Sequence, residues 1–120
     1  MLTGLHHIQL AIPPGGEGTS RSFWCGLLQM TEVAKPERLR GRGGCWFRCG
    51  GLELHLGVED PFHPQRKAHP AFLTADLAWL RERLEAAGVP LREGAPLPGL
   101  TRFFAEDPFG NRLEFLSPTD

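Results

Sequence analysis

Residues 5–58 and 68–116 carry the same order of local signals, and this internal repeat restricts the fold more than any other feature of the chain. In the first segment LHHIQLAI (5–12) alternates, with Ile8, Leu10 and Ile12 on one face beside His6, and His7, Gln9 and Ala11 on the other. The loop PPGGEG (13–18) follows, and Thr19 or Ser20 is placed to cap a short helix carrying Phe23, Trp24, Leu27 and Leu28. A brief strand over 30–33 and a charged connector over 35–44 lead to two strands, CWFRC (45–49) and LELHLGV (52–58), separated by Gly50 and Gly51. In LELHL the leucines share one face and Glu53 and His55 the other.

The second segment opens on AHPAFLT (68–74), an edge strand in spite of Pro70, with His69, Ala71 and Leu73 on one face. A helix over 76–87 sets Leu77, Leu80, Leu84 and Ala87 in one stripe and ends at Gly88. A short strand over 89–91, the loop REGAPLPG and a hairpin of 102–106 with 112–116 complete it. Each half therefore reads βαβββ. The expected fold is α+β, one domain spanning 1–120, built of modules 1–58 and 68–120 joined by the linker 59–67, with a curved mixed sheet around a cavity.

The hairpin DPFGNRLEFL (107–116) poses a chemical question. Pro108 presets φ, Gly110 supplies a left-handed residue, and Asp107 and Asn111 have side chains that hydrogen-bond nearby backbone. Beyond the turn, Leu113 and Phe115 alternate with Glu114, so a carboxylate points to the face shared by Arg112 and Leu116. Such a group is costly unless it is solvated, paired or bound to a metal.

Superposing the halves by their own order matches His7 with His69, and LELHL with LEFL, so Glu53 corresponds to Glu114. Two histidines and two carboxylates are then expected on the inner face of the sheet. Imidazole and carboxylate together suit Zn, Fe(II), Ni(II), Mn or Co, and two His with one carboxylate suffice for a site with open positions. The competing readings are plain: a structural histidine at each position, and for Glu114 an ion pair with Arg112, which is equally placed to hold an anionic substrate group. His55 reads as lining the pocket beside the ligands. Gln9, Trp46 and Arg48 are further candidates for its wall. Arg38, Arg40 and Arg42 read as a solvated hairpin tip, His6 as structural and His63 as solvated.

Composition excludes other classes. Lys and Arg number 13 against 14 Asp and Glu, and a net charge of -1 offers no basic field to nucleic acid. No apolar run approaches the roughly 20 residues of a membrane span, and no secretory leader is read at the start. Cys25, Cys45 and Cys49 form no paired framework, so a reducing, cytoplasmic setting is expected and the thiols read as buried apolar groups.

LHHIQL at the start, FWCGLLQM in the first helix and DPFGNRLEFL at the end resemble the vicinal oxygen chelate superfamily. That group includes glyoxalases, extradiol dioxygenases, fosfomycin-modifying thiol transferases and bleomycin-resistance proteins. The resemblance implies a divalent metal on His7, on Glu53 or His55, on His69 and on Glu114, a small oxygen-chelating substrate and, in many small members, a homodimer. It further implies one of two chemistries. In a glyoxalase-like lyase or isomerase Glu53 or Glu114 shuttles a proton; in a dioxygenase-like enzyme His7, His69 and Glu114 surround Fe(II), with His55 as a nearby acid or base. The bleomycin-resistance relatives imply an alternative, a metal-free protein that sequesters a small molecule. The chain departs from the family at the first helix, where Trp24 replaces a common Tyr and Gln29 replaces the Gly of the helix stop. A Gln costs about 1 kcal/mol there relative to Gly, so a different helix end is expected.

Overall fold

The computed structural model describes residues 1–119, in two compact units, one ending at Pro64 and the other beginning at Gln65. Asp120, the last residue of the expected second module, lies outside the described residues. Each unit has the order strand, helix, three strands.

In the first unit β1 (His7–Ile12) is followed by α1 (Glu17–Arg21), which runs on as a π turn (Ser22–Leu27), then by β2 (Thr31–Val33), a 3-10 turn (Glu37–Arg42), β3 (Cys45–Cys49) and β4 (Leu52–Val58). The sheet order is β1-β4-β3-β2, with β1 parallel to β4 and the other pairs antiparallel. Alternation sorts its faces. Leu10, Ile12, Cys45, Phe47, Leu54 and Leu56 are buried, as are Phe23 and Trp24 from the helical segment.

The helix starts earlier than expected. Pro13 and Gly16 close a turn through a 3.1 Å hydrogen bond, so the helix starts directly behind it, with Gly16 at the cap position and no side-chain cap. Thr19 and Ser20 fall inside, and Ser20 Oγ donates back to the Gly16 carbonyl. At the other end Leu28 N–H reaches five residues back to the Phe23 carbonyl, widening the last turn. Gln29 nevertheless takes the left-handed conformation, with φ of 63°.

In the second unit β5 (Ala71–Leu73), α2 (Leu77–Ala86), β6 (Leu91–Glu93), β7 (Leu100–Glu106) and β8 (Arg112–Pro118) give the sheet order β5-β8-β7-β6, again with one parallel pair, β5 and β8. Asp76 caps α2 by accepting from Trp79 N–H, and Leu77, Leu80 and Leu84 bury its stripe against a core that includes Phe103, Leu113 and Phe115. Ala87 ends the helix exposed.

Two strands shift from their expected places. Pro70 has no N–H for the ladder, so β5 begins only at Ala71, although the Pro70 carbonyl still accepts from Glu114 N–H at 3.0 Å. Gly88 and Val89 are spent closing α2, through bonds to the Glu85 and Leu84 carbonyls, which moves β6 on to Leu91. Among the described residues no helix is long and apolar enough to cross a membrane.

Candidate functional site

The turn after β7 sets the register of β8. Asp107 Oδ1 accepts from Phe109 N–H and Asn111 N–H, both at 2.9 Å, and Oδ2 accepts from Asn111 Nδ2 at 2.8 Å. Asn111 Oδ1 in turn accepts from Gln65 N–H. Burial pushes the Asp107 carboxyl up, and these hydrogen bonds oppose the rise. With Gly110 at a φ of 93°, the turn pairs Glu106 with Arg112 and Phe104 with Glu114.

Glu114 is 5% exposed and has two basic neighbours. His69 Nε2 stands 2.8 Å from its Oε1, and Arg102 Nη1 donates to its Oε2 at 3.1 Å. Burial pushes this carboxyl up, but the hydrogen bonds from His69 and Arg102 outweigh it and hold Glu114 below the usual carboxylate range. The other nitrogen of His69, Nδ1, lies 2.8 Å from the Lys67 carbonyl. A carbonyl only accepts, so Nδ1 carries a hydrogen. At 2.8 Å the contact with Glu114 is a hydrogen bond with Nε2 as the donor; a divalent ion would take the place of that proton, with Nε2 and the carboxylate as ligands. The hydrogen-bonded Nδ1 is also the arrangement that orients a metal-binding imidazole.

In the first unit the parallel register sets His7 beside Glu53 and Gln9 beside His55, while Trp46 and Arg48 pair with His55 and Glu53 from the other side. His55 is buried within a stack of rings. Trp46 lies on one side at 3.7 Å between centroids and 2° from parallel, and His7 on the other at 4.1 Å and 17°. Its Nε2 is 2.9 Å from Glu53 Oε1, and that hydrogen bond holds the Glu53 carboxyl below its usual range. His7 Nδ1 meets His6 Nδ1 at 3.0 Å. Gln9 is exposed, and its amide occupies the space a side chain on Gly57 would need.

The residues expected from sequence thus fall into two groups: His7, Gln9, Trp46, Arg48, Glu53 and His55 on one face of the first sheet, and His69, Arg112 and Glu114 in the second unit. Of the two readings open for Arg112, the ion pair with Glu114 is not found among the described residues. Its guanidinium lies over the Phe104 ring at 4.1 Å, and Arg102 makes the ion pair instead. Neighbours two apart along a strand are held about 6.7 Å apart, whereas Arg102, paired with Leu116, reaches Glu114 diagonally across the hairpin. Sequence reading missed Arg102, although the register counted outward from the turn contained it. Gly94 leaves room for this arrangement: a Cβ there would come within 2.7 Å of Phe104 Cε2 and 2.9 Å of Arg102 Nε.

His69 and Glu114 would suit a divalent ion in kind, an imidazole nitrogen and a carboxylate oxygen 2.8 Å apart. Among the described residues no group of three or more His, Cys, Asp or Glu side chains is gathered to hold a metal. The thiols are no substitute, since all three are free and burial pushes each up, Cys45 to about 11.

Residues 4–115 match the Glyoxalase/Bleomycin resistance protein/Dioxygenase superfamily, and the chain belongs to that family. A putative glyoxalase family protein from Bacillus anthracis is 40% identical, with a TM-score of 0.95 over 99% of this chain and 98% of that one. The genomically encoded fosfomycin resistance protein FosX from Listeria monocytogenes is 20% identical, with a TM-score of 0.79 over 99% of this chain and 96% of its own. A mutant of FosX complexed with Mn(II) and 1S,2S-dihydroxypropylphosphonic acid is 21% identical, with a TM-score of 0.81 over 99% and 95%. At 20% and 21% identity these FosX structures share the fold. No curated protein matches the chain.

Proposed function

We propose that the protein is a metal-dependent enzyme of this superfamily, acting on a small oxygen-chelating substrate by glyoxalase-like proton transfer. The observation that carries the reading is the His69 ring, with Nδ1 committed to the Lys67 carbonyl and Nε2 aimed at Glu114. His69 and Glu114 are two donors to the ion, and His7 and Glu53 complete the set that the family resemblance implies. When bound, a divalent ion of the Fe, Zn, Ni, Mn or Co kind supplies Lewis acidity toward chelated substrate oxygens.

The chain's own residues divide the remaining work. Arg102 holds Glu114 Oε2, which leaves Oε1 turned toward His69. Glu53 is the better placed proton acceptor. Its carboxyl is ionised at neutral pH, its side chain is 25% exposed, and only Oε1 is taken, by His55. His55, fixed between Trp46 and His7, orients that carboxylate. The setting is cytoplasmic, consistent with three free thiols, and the assembly is the homodimer that the family implies.

Elemental analysis of protein purified without added metal tests the reading. It predicts a divalent metal in the wild type and its loss in His69→Ala. A wild type that neither carries nor takes up metal would instead favour the sequestering role known among relatives.

A further inference from the structure

Phe104 is surrounded by cations. The guanidinium carbons of Arg112, Arg102 and Arg92 lie 4.1, 5.1 and 5.8 Å from its ring centroid. Arg102 is accounted for by Glu114. Arg92 and Arg112 form no ion pair among the described residues, and the Nε–H of Arg112 is buried without a hydrogen-bond partner. Both line a cavity of about 340 Å³ in the second unit, together with Arg66, Phe104, Leu91 and Glu106. Its one carboxylate, Glu106, meets Arg66 loosely at 3.7 Å, with both side chains open to water. Three guanidinium groups against one carboxylate leave an excess of two positive charges, in a chain whose net charge is -1. The excess is local and built by the fold.

We propose that this cavity is a binding site for a small dianion, either a phosphate monoester or a dicarboxylate. Guanidinium groups take both in forked pairs of hydrogen bonds, and a double charge matches the local excess. Pro90, Leu91 and the Phe104 ring give apolar walls for a short carbon body, and the volume lies at the small end of ligand cavities. Arg112 and Glu114 are successive residues on one face of β8, about 6.7 Å apart along the strand. A dianionic group in the cavity therefore sets the other end of a small substrate beside Glu114. That last step rests on the proposed function; the dianion site itself does not.

Calorimetric titration of EDTA-treated protein with methyl phosphate, malonate and acetate provides the test. Saturable binding of methyl phosphate or malonate is expected, with acetate about tenfold weaker, and whichever dianion binds tighter identifies the source. Arg112→Gln should weaken binding about tenfold, the loss of one charged hydrogen-bonding group. Arg92→Gln, on an exposed side chain that leaves folding untouched, should weaken it severalfold, and Glu106→Gln should strengthen it. Arg40→Gln, in the other unit, should change nothing. Absence of saturable dianion binding, or equal binding by the wild type and Arg92→Gln, overturns the proposal. Because metal is absent throughout, Arg-dependent dianion binding by a protein that takes up no metal removes only the metal reading, and metal uptake without dianion binding removes only this one.

Discussion

His69 Nε2 lies 2.8 Å from Glu114 Oε1 while Arg102 holds the other oxygen of the same carboxylate at 3.1 Å. The carboxylate is buried, and its charge is tolerated because both oxygens have cationic or metal-competent neighbours. The hairpin turn fixes this by register alone. A slip of one residue would turn Leu113 or Phe115 toward the arginine and send Glu114 into the core.

Removing the arginine should expose how much the carboxylate depends on it. Arg102→Met leaves Glu114 buried with His69 as its one neighbour, and chemical denaturation at pH 7 should show a loss of about 2–3 kcal/mol. The Glu114 carboxyl should also titrate at higher pH than in the wild type, measured by carbon-13 NMR. A stability change near zero would contradict the assignment.

The same carboxylate predicts a pH dependence with a definite sign. Its folded-state pKa is lowered from the ordinary 4.5, so near that pH the unfolded chain binds more protons. The stability it contributes is full above pH 4.5 and is lost as pH falls through the lower folded value. Glu114→Gln should therefore cost about 1–2 kcal/mol at pH 7, and the difference from wild type should shrink in acid. Asp107 has the opposite sign, because its folded pKa is raised above 3.8. It is common to both proteins and cancels in the difference.

Gly94 separates the packing of the site from its chemistry. A methyl group there meets the Phe104 ring and the Arg102 side chain at less than contact distance. Gly94→Ala should destabilise the protein by about 1–3 kcal/mol through overpacking, read as a lower urea midpoint with an unchanged slope.

Gln29 is an exposed residue at a φ of 63°. The left-handed region costs an L-residue about 1–2 kcal/mol, partly offset by the backbone entropy a Gly would lose on folding. Gln29→Gly should raise stability by about 0.5–1 kcal/mol, measurable as an increase in Tm.

Alternation and turn chemistry made most of the fold legible. The faces of LHHIQLAI, LELHLGV and the final strand were readable because side chains in a strand repeat every two residues, and the repeat of that pattern gave the two βαβββ units. Local backbone competition was harder to read. Pro70 shortened β5, the closing of α2 displaced β6, and the π turn at Ser22–Leu27 has no periodic signature in a six-residue stretch. For the site, the positions of His69 and Glu114 were legible, but the role of Arg102 was not. It depends on cross-strand register, and same-strand spacing pointed to Arg112 instead. The stacking of His55 between Trp46 and His7 likewise follows from pairing among three strands.

His69 and Glu114, already in contact at 2.8 Å, are on this reading ligands of one metal ion. Titration of Mn(II) into EDTA-treated protein, followed by electron paramagnetic resonance, tests it most directly. Saturation is expected in the wild type, with at least a tenfold weaker affinity in both His69→Ala and Glu114→Gln and wild-type affinity in Arg40→Gln. Unchanged Mn(II) affinity in His69→Ala and Glu114→Gln, or no saturable binding by the wild type, would contradict it.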